Sequence, residues 1–273
     1  MQDFVAGTAD FAGTDVPLSD KSSIDKATAR CHGNPVWHLP LVFVPIAIAY
    51  RLHGVSDITL TGEVAAKIFS GLITRWNDPA IKTLNPSIAL PNKPITVFFR
   101  QDQSVATGTF QRYLEASSNG VWTHGVGTVF TGGVGEGKGG DWNVWSAMSQ
   151  VDGGITYAEW RSGELSGLTL ARIDGGVGPT ELTSYNVANT IRNLKFGGSG
   201  NDLALEDPIY ARRIQWAYPL AQTVYEVVCS RGYDLDTAKA VKAFLTTAAV
   251  NNSNELLPVE HVTRLLNTIN AIS

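Results

Sequence analysis

The feature that most constrains the fold is an alternation of apolar, strand-like segments with amphipathic, helix-like segments along the 273 residues. Runs rich in Val, Ile, Ala and aromatic residues predict strands at 39–50, 95–100, 154–157 and 218–229. Helical spacing of apolar residues predicts helices at 61–69, 80–84, 104–117, 236–246 and 261–272. Strands that alternate with helices predict an α/β fold with largely parallel sheets.

Five other segments have weaker local patterns. Residues 3–15 resemble a short apolar strand that closes on a turn, and a polar helix then begins at Ser19 or Asp20 as the N-cap and ends near 31–33. The glycine-rich stretch 132–140 predicts a flexible loop, after which Asp141 caps a helix that runs to about Met148. Residues 161–205 alternate weak strand and turn patterns and give no clear assignment.

Composition and motifs exclude several classes of function. With 21 Lys and Arg against 25 Asp and Glu and no basic run, a nucleic-acid partner is not expected. No stretch of 18 apolar residues predicts a membrane span, and we expect no signal peptide within this chain. The histidines form no metal motif, no GxSxG segment occurs, and Lys138 is followed by glycine rather than Ser or Thr. We therefore expect no metal, no cofactor and no enzymatic activity.

The residues around Arg100 are the best candidates for binding chemistry. Arg100 ends a predicted strand, and a predicted helix begins just after it, near Ser104. Free N–H groups at a helix start and the planar donor fork of arginine both suit a phosphate or carboxylate anion. Asp102 can hold that arginine in place. A surface arginine beside an ordinary N-cap serine is the alternative.

The two cysteines, Cys31 and Cys229, are 198 positions apart, which is too far for a CxxC or metal-knuckle motif. Their spacing allows either two separate buried thiols or one long-range disulfide. A disulfide would indicate an oxidising compartment.

Several motifs resemble the phosphate-binding proteins of bacterial phosphate ABC transporters, the PstS family. Residues 10–19, DFAGTDVPLS, are similar to the family segment D-F-[GA]-[GA]-[ST]-D-x-P-L-S. The resemblance continues nearly to the end of the chain, through GLITRWNDPAI at 71–81, LNP at 84–86, FRQDQS at 99–104, FQRYL at 110–114, GGVGEG at 132–137 and YP at 218–219.

This resemblance implies a type II periplasmic-binding-protein fold of two α/β lobes with phosphate in the cleft between them. Residues 1–44 and 219–273 would form lobe one, and residues 45–218 would form lobe two. The implied function is non-catalytic capture of inorganic phosphate outside the cytoplasm and its delivery to an ABC permease. The chain is most similar to actinobacterial members, in which similar cysteines occur, so the resemblance also implies a Cys31–Cys229 disulfide.

The family's phosphate site corresponds here to four residues. The resemblance implies that Asp15 accepts a hydrogen bond from protonated phosphate, which fully ionised sulfate cannot offer. It implies that Arg100 binds the anion, that Asp102 orients Arg100, and that Ser104 lies at the helix start.

Thr107 and Asp141 complete the predicted ligand-binding set, and both lie in segments that depart from the family pattern. The family continues from the serine as Gly-Thr, often with a second Thr, whereas this chain has Val105 and Ala106 before Thr107. Ala106 removes a hydroxyl donor, and Val105 adds a branched side chain where glycine allows close approach. The family's Asn-Asp-Gly after the glycine loop appears here as Asp141, Trp142 and Asn143.

The third departure is at the N-terminus. The family begins with a strand and a helix that supply two further phosphate-binding turns, and these have no counterpart here, so we expect lobe one to lack N-terminal strands and to expose an apolar edge. An alternative function follows from these departures: a structural or interaction subunit with an altered or lost phosphate site, or a receptor for another ligand. Such a subunit could self-associate or accept a strand from another chain.

Overall fold

The computed structural model describes residues 1–160, 168–206, 209–211, 213–251 and 256–273. Its strands are β1 (Phe11–Thr14), β2 (Val36–Tyr50), β3 (Thr59–Thr61), β4 (Thr96–Arg100), β5 (Glu136–Lys138), β6 (Gly154–Glu159), β7 (Thr169–Leu170), β8 (Arg172–Asp174), β9 (Pro179–Thr180) and β10 (Ala221–Cys229). Its helices are α1 (Gln2–Val5), α2 (Lys21–Arg30), α3 (Gly62–Phe69), α4 (Pro79–Leu84), α5 (Val105–Ser117), α6 (Asp141–Ser149), α7 (Ser184–Arg192), α8 (Leu235–Asn251) and α9 (Val259–Ala271), with a 3-10 turn at Ile209–Ala211.

The chain forms two compact units, and unit one comprises Met1–Phe43, Ile191–Pro208 and Thr223–Ser273. Within it, β1 pairs antiparallel with β10, with Phe11 opposite Val228. Successive residues of a strand face opposite sides of the sheet. Val228 accordingly lies in an apolar cluster with residues of α8 and α9, whereas Val227 and Cys229 lie in a second cluster with α1 and α2.

The second cluster of unit one contains the disulfide. Cys31 and Cys229 are bonded, with their Cα atoms 5.3 Å apart, and both side chains are buried. The bond joins the end of α2 to the end of β10. The predicted pairing is therefore confirmed.

Unit two comprises Val44–Thr190 and Ile209–Gln222. In its larger sheet, β2 pairs antiparallel with β6 and with β7, while β4 lies parallel to both β6 and β5. A smaller sheet has β8 between β3, which is parallel to it, and β9, which is antiparallel. Because β4 and β5 are parallel, their carboxyl ends lie at one edge, and α5 and α6 begin just beyond them.

Local sequence explains many of the helix boundaries. The Asp20 carboxylate accepts a hydrogen bond from the Ser23 N–H at 2.9 Å, so Asp20 is the N-cap of α2. The Thr61 hydroxyl accepts from the Val64 N–H and begins α3, and Asp78 caps α4 with Pro79 in its first turn. The helices and strands predicted between 39 and 117 agree with the structure to within three residues at each end.

Three predictions at the level of elements need correction. Residues 3–15 form α1 and then β1 rather than one strand, because Phe4 packs into the cluster around the disulfide. The stretch 132–140 contains β5 rather than only a flexible loop, since Gly135 lets the chain approach β4 so closely that a Cβ there would lie 2.3 Å from the Val97 carbonyl oxygen. Gly140, not Asp141, is the N-cap of α6; its φ of 77° suits glycine.

The predicted lobe boundaries also differ from the two units. The segment Ile191–Pro208 belongs to unit one, although the prediction grouped it with 45–218. This segment belongs to unit one because Leu203 packs in the apolar cluster that contains residues of α8 and α9. In addition, the Asp202 carboxylate accepts the His38 N–H at 2.7 Å. Of the weakly patterned 161–205, residues 161–167 lie outside the described residues, and the remainder contains β7, β8, β9 and α7 with the loops between and after them.

None of the helices in the described ranges is long and apolar enough to span a bilayer.

Candidate anion-binding site

The candidate site of unit two lies at the carboxyl edge of the parallel strands. Arg100 is the last residue of β4 and pairs in register with Lys138, the last residue of β5. The chain then turns from β4 into α5 and from β5 into α6. Ligands of α/β proteins bind at this edge because loops and helix N-termini converge there.

Two carboxylates hold the Arg100 guanidinium. Asp102 accepts from Nε at 2.8 Å and from Nη2 at 2.5 Å, and Asp141 accepts from Nη1 at 2.7 Å. The Arg100 side chain is 13% exposed, whereas those of Asp102 and Asp141 are 44% and 29% exposed. The guanidinium is thus fixed in direction and partly withdrawn from water, with Asp102 as its bidentate partner.

These contacts shift the pKa values of both partners in the bidentate pair. The hydrogen bonds from Arg100, and then the one from the Gly140 N–H, hold the pKa of the Asp102 carboxyl well below its usual range. The hydrogen bonds to Asp102, followed by those to Asp141, raise the pKa of Arg100 above its ordinary value. The pair is therefore ionised at every physiological pH.

The start of α5 supplies the second component of the site. Its first N–H groups, at Val105, Ala106 and Thr107, have no acceptor within the helix. Ser104 is the N-cap, and among the described residues no side-chain hydrogen bond caps this helix. Val105, which replaces the family's glycine, is 42% exposed, so its branched side chain points to solvent rather than into the core.

Thr107 lies in the first turn of α5, with its side chain directed into the core. Its side chain is fully buried, and its hydroxyl lies 2.6 Å from the Tyr157 hydroxyl. Burial raises the pKa of Tyr157 to about 12, so both groups remain neutral. The Thr107 hydroxyl thus anchors α5 to β6, and its backbone N–H is the group that remains at the helix start.

Two groups of this site were not found from the sequence. Tyr157, on β6, accepts the Arg100 backbone N–H at 3.4 Å in addition to its contact with Thr107. The Gly140 N–H donates to the Asp102 carboxylate at 3.1 Å, which ties the start of α6 to the loop after β4. For Tyr157, the one signal in the sequence was its position at the end of a predicted strand. The Gly140 contact is revealed only by the pairing of β4 with β5.

Asp15 belongs to unit one. It lies just after β1 and is half-buried, and the neighbouring Thr14 hydroxyl donates to the Val16 carbonyl at 2.8 Å. The other predicted ligand residues, Arg100, Asp102, Ser104, Thr107 and Asp141, all belong to unit two.

The donors gathered at this edge of unit two suit an oxyanion. One guanidinium and the N–H groups of a helix start are donors for anionic oxygens. In the described residues, no three His, Cys, Asp or Glu side chains come together as a metal site would require.

Comparisons with known proteins identify relatives over the whole chain. The family model described as a PBP superfamily domain matches residues 1–249. The phosphate-binding protein PstS 3 of Mycobacterium tuberculosis is 42% identical over 283 residues, which covers 100% of this chain and 76% of that protein. PstS 2 of the same species is 41% identical over 281 residues, with coverages of 99% and 76%. The PstS protein of Haemophilus influenzae is 27% identical over 270 residues, with coverages of 96% and 76%.

Solved structures agree on the fold. The high-affinity periplasmic phosphate-binding protein PfluDING, solved with phosphate bound, aligns with a TM-score of 0.67 and 20% identity over 96% of this chain and 82% of its own. An ABC-type phosphate transport receptor from Vibrio cholerae aligns with a TM-score of 0.57 and 16% identity over 92% and 82%. At such identities the likeness establishes the fold alone, and it confirms the predicted type II periplasmic-binding-protein fold.

Proposed function

The chain belongs to the PstS family of phosphate-binding proteins within the PBP superfamily, and from this premise we propose that it captures inorganic phosphate outside the cytoplasm for an ABC transporter. The observation that carries the proposal is the fixed guanidinium of Arg100 beside the start of α5. A guanidinium that is already oriented loses little side-chain freedom when an anion binds, which favours affinity.

Each predicted ligand residue has a proposed role, and that of Asp141 is to hold Arg100 together with Asp102. Arg100 binds phosphate oxygens with its remaining N–H groups, and Asp102 orients Arg100. Ser104 and the first N–H groups of α5 donate to the anion, and Thr107 contributes its backbone N–H. Asp15, in unit one, accepts a hydrogen bond from a protonated phosphate oxygen and so disfavours sulfate.

The proposed partner is an ABC permease, and no bond is made or broken in the protein's own step. The disulfide between Cys31 and Cys229 supports a location in an oxidising compartment, because disulfides persist there and are rare in the cytosol. Fractionation of the source cells, followed by immunodetection, should find the protein outside the cytoplasmic fraction.

The test is isothermal titration of phosphate-stripped protein with inorganic phosphate, with sulfate as the competing anion. Arg100→Ala should abolish the phosphate heat, because the charged donor at the centre of the site is lost. Arg75→Ala is the matched control, since Arg75 is exposed and its guanidinium donates at 2.9 Å to the exposed side-chain amide of Asn92. Unchanged affinity in Arg100→Ala would refute the assigned site.

The same titration also tests the alternative function, that of an interaction subunit. That alternative is motivated by Trp142, which is 73% exposed beside the candidate site. A folded wild-type protein that gives no phosphate heat would favour it, and sedimentation analysis for self-association would then be the next measurement.

A further inference from the structure

His38, on β2, joins three parts of unit one through its imidazole ring. The side chain is buried. Its Nε2 atom accepts the Leu18 N–H at 3.0 Å, and its Nδ1 atom lies 3.0 Å from the Asp202 carboxylate. Leu18 lies in the loop between β1 and α2, and Asp202 lies in the segment Ile191–Pro208. The ring therefore ties both of these segments to β2.

The two contacts fix the tautomer of His38. A backbone N–H can only donate, so Nε2 must direct a lone pair towards Leu18. The ring proton is then on Nδ1 and donates to the Asp202 carboxylate, which also accepts the backbone N–H of His38 at 2.7 Å. The contact with Leu18 exists only while the ring is neutral, because a protonated ring has no acceptor.

The loop held by His38 carries the unit-one residue of the proposed phosphate site. Asp15 follows β1 directly, and Leu18 lies three positions further along the chain. Between them, Pro17 has no N–H, and the Val16 N–H bonds locally within the turn. Leu18 supplies a hydrogen bond from this turn to β2, and its side chain packs on the apolar cluster around the disulfide. The Leu18–His38 hydrogen bond therefore holds the turn that follows Asp15.

The charged and titratable groups around the His38 ring come from each element packed against it. Tyr225 on β10 meets the ring edge-on, with the ring centroids 6.3 Å apart. In the loop, the Asp20 carboxylate caps α2. This helix packs on the face of β2 that carries His38, and its Arg30 forms its own ion pair. Of these groups, Asp202 is the charged one in direct contact with the ring, and it pairs with the ring in either protonation state.

Resting on the proposed function, we propose that His38 is a positioning residue for Asp15. The neutral ring holds the turn after Asp15 and so keeps that carboxylate in place for the phosphate hydroxyl. When Nε2 takes a proton, two N–H donors face each other, so the Leu18 contact breaks and the ring pairs with Asp202 alone. Phosphate binding is then weaker, and affinity falls with falling pH over the range in which imidazole titrates, about pH 5–8.

The experiment is titration of phosphate-stripped wild type, His38→Gln and His38→Leu with inorganic phosphate at about pH 7.5 and about pH 5.5. A Gln side chain reaches the position of Nε2 with an amide oxygen that accepts the Leu18 N–H and carries no charge at either pH. His38→Gln should therefore keep the wild-type Kd at the higher pH to within about twofold. His38→Leu should raise that Kd by about three- to tenfold, as expected for one lost hydrogen bond.

The comparison between the two pH values isolates His38, because phosphate itself changes ionisation equally for every variant. On acidification the wild-type Kd should rise by about three- to tenfold more than that of His38→Gln. His53→Gln is the matched control, since it makes the same change at an exposed imidazole of unit two, and it should keep the wild-type pH dependence. His261, also buried in unit one, donates to the Pro40 carbonyl at 2.9 Å, and burial lowers its pKa, which disfavours its protonation.

The inference is overturned if His38→Gln keeps the full wild-type pH dependence, or if folded His38→Leu binds phosphate as tightly as wild type. If His38→Leu does not fold, the comparison of wild type with His38→Gln decides alone. In ligand-free wild type near neutral pH, the nitrogen chemical shifts of the ring should show the Nδ1–H tautomer, and the Nε2–H tautomer would also overturn the inference. Folded wild type without phosphate heat at either pH would instead refute the proposed function.

Discussion

Thr107 and Tyr157 form a buried hydrogen bond that joins two elements of the candidate site in unit two. Their hydroxyl oxygens are 2.6 Å apart, and both side chains are buried. The same Tyr157 oxygen accepts the Arg100 N–H, so one phenol positions the start of α5 and the end of β4. A buried polar group that loses its partner costs about 1–3 kcal/mol, whereas loss of both partners can be nearly neutral.

A double-mutant cycle should therefore be strongly non-additive. Tyr157→Phe and Thr107→Val should each lower the free energy of unfolding by about 1–3 kcal/mol, because each leaves a buried hydroxyl without its partner. The double variant should lose clearly less than the sum. Urea denaturation measures this, with Tyr185→Phe as the control, since Tyr185 is 69% exposed. Strictly additive losses would mean that the two hydroxyls do not interact.

At this scale the sequence predicts short-range partners and misses long-range ones. Arg100 and Asp102 are two positions apart, and their predicted contact is present as two hydrogen bonds. The contacts of Arg100 with Asp141 and of Thr107 with Tyr157 span 41 and 50 positions. No local pattern specifies such contacts, because they depend on which strands pair. The ligand-binding roles of all these residues stay predictions.

Asn85 joins two elements of unit two in the same way that Tyr157 joins two at the site. Its amide accepts from the Thr59 N–H at 2.8 Å and donates to the Thr59 and Ile81 carbonyls at 2.9 Å each. It therefore ends α4 and binds it to the first residue of β3. The side chain is only 4% exposed, so water cannot replace these bonds without rearrangement.

Asn85→Ala should lower the free energy of unfolding by about 2–4 kcal/mol, because it leaves several buried backbone groups without partners. Asn92→Ala is the matched control, since Asn92 is exposed and its amide accepts from the exposed Arg75. That change should stay within about 0.5 kcal/mol of wild type. Chemical denaturation of both variants measures the difference, and equal losses would show that the buried contacts of Asn85 add nothing.

Elements with their own capping residues were predictable, and elements defined by tertiary contact were not. The helices that begin at Asp20, Thr61 and Asp78 follow from N-cap chemistry. In contrast, β5 is only three residues long and exists because it pairs with β4. The early helix α1 has four residues, too few to be stable alone, and depends on the packing of Phe4.

At the scale of the whole molecule, one covalent bond closes most of the chain into a loop. Cys31 and Cys229 are separated by 198 positions, and the chain between them includes all of unit two. In the folded state both sulfurs lie in an apolar cluster with Phe4, Ala27 and Val227. The bond thus acts mainly on the unfolded chain, whose freedom it restricts, while burial keeps reductant away from the folded form.

Reduction of the disulfide should therefore destabilise the protein strongly. Because the bond is buried, we expect it to be reduced only when the apolar cluster around it unfolds. We expect the free energy of unfolding to fall by up to about 4–5 kcal/mol in excess reductant, the loss of chain restriction predicted for so long a loop. Urea denaturation with and without reductant measures this, with a count of free thiols to establish that reduction is complete. The Cys31→Ala/Cys229→Ala double variant is the control and should respond identically in both conditions.

If fully reduced wild type unfolded at the same urea concentration as the oxidised protein, the loop would contribute nothing, and the fold would be specified by the two cores alone. If instead reduction proceeds only in urea concentrations that begin to unfold unit one, the disulfide is protected by the same packing that positions β10 against α2.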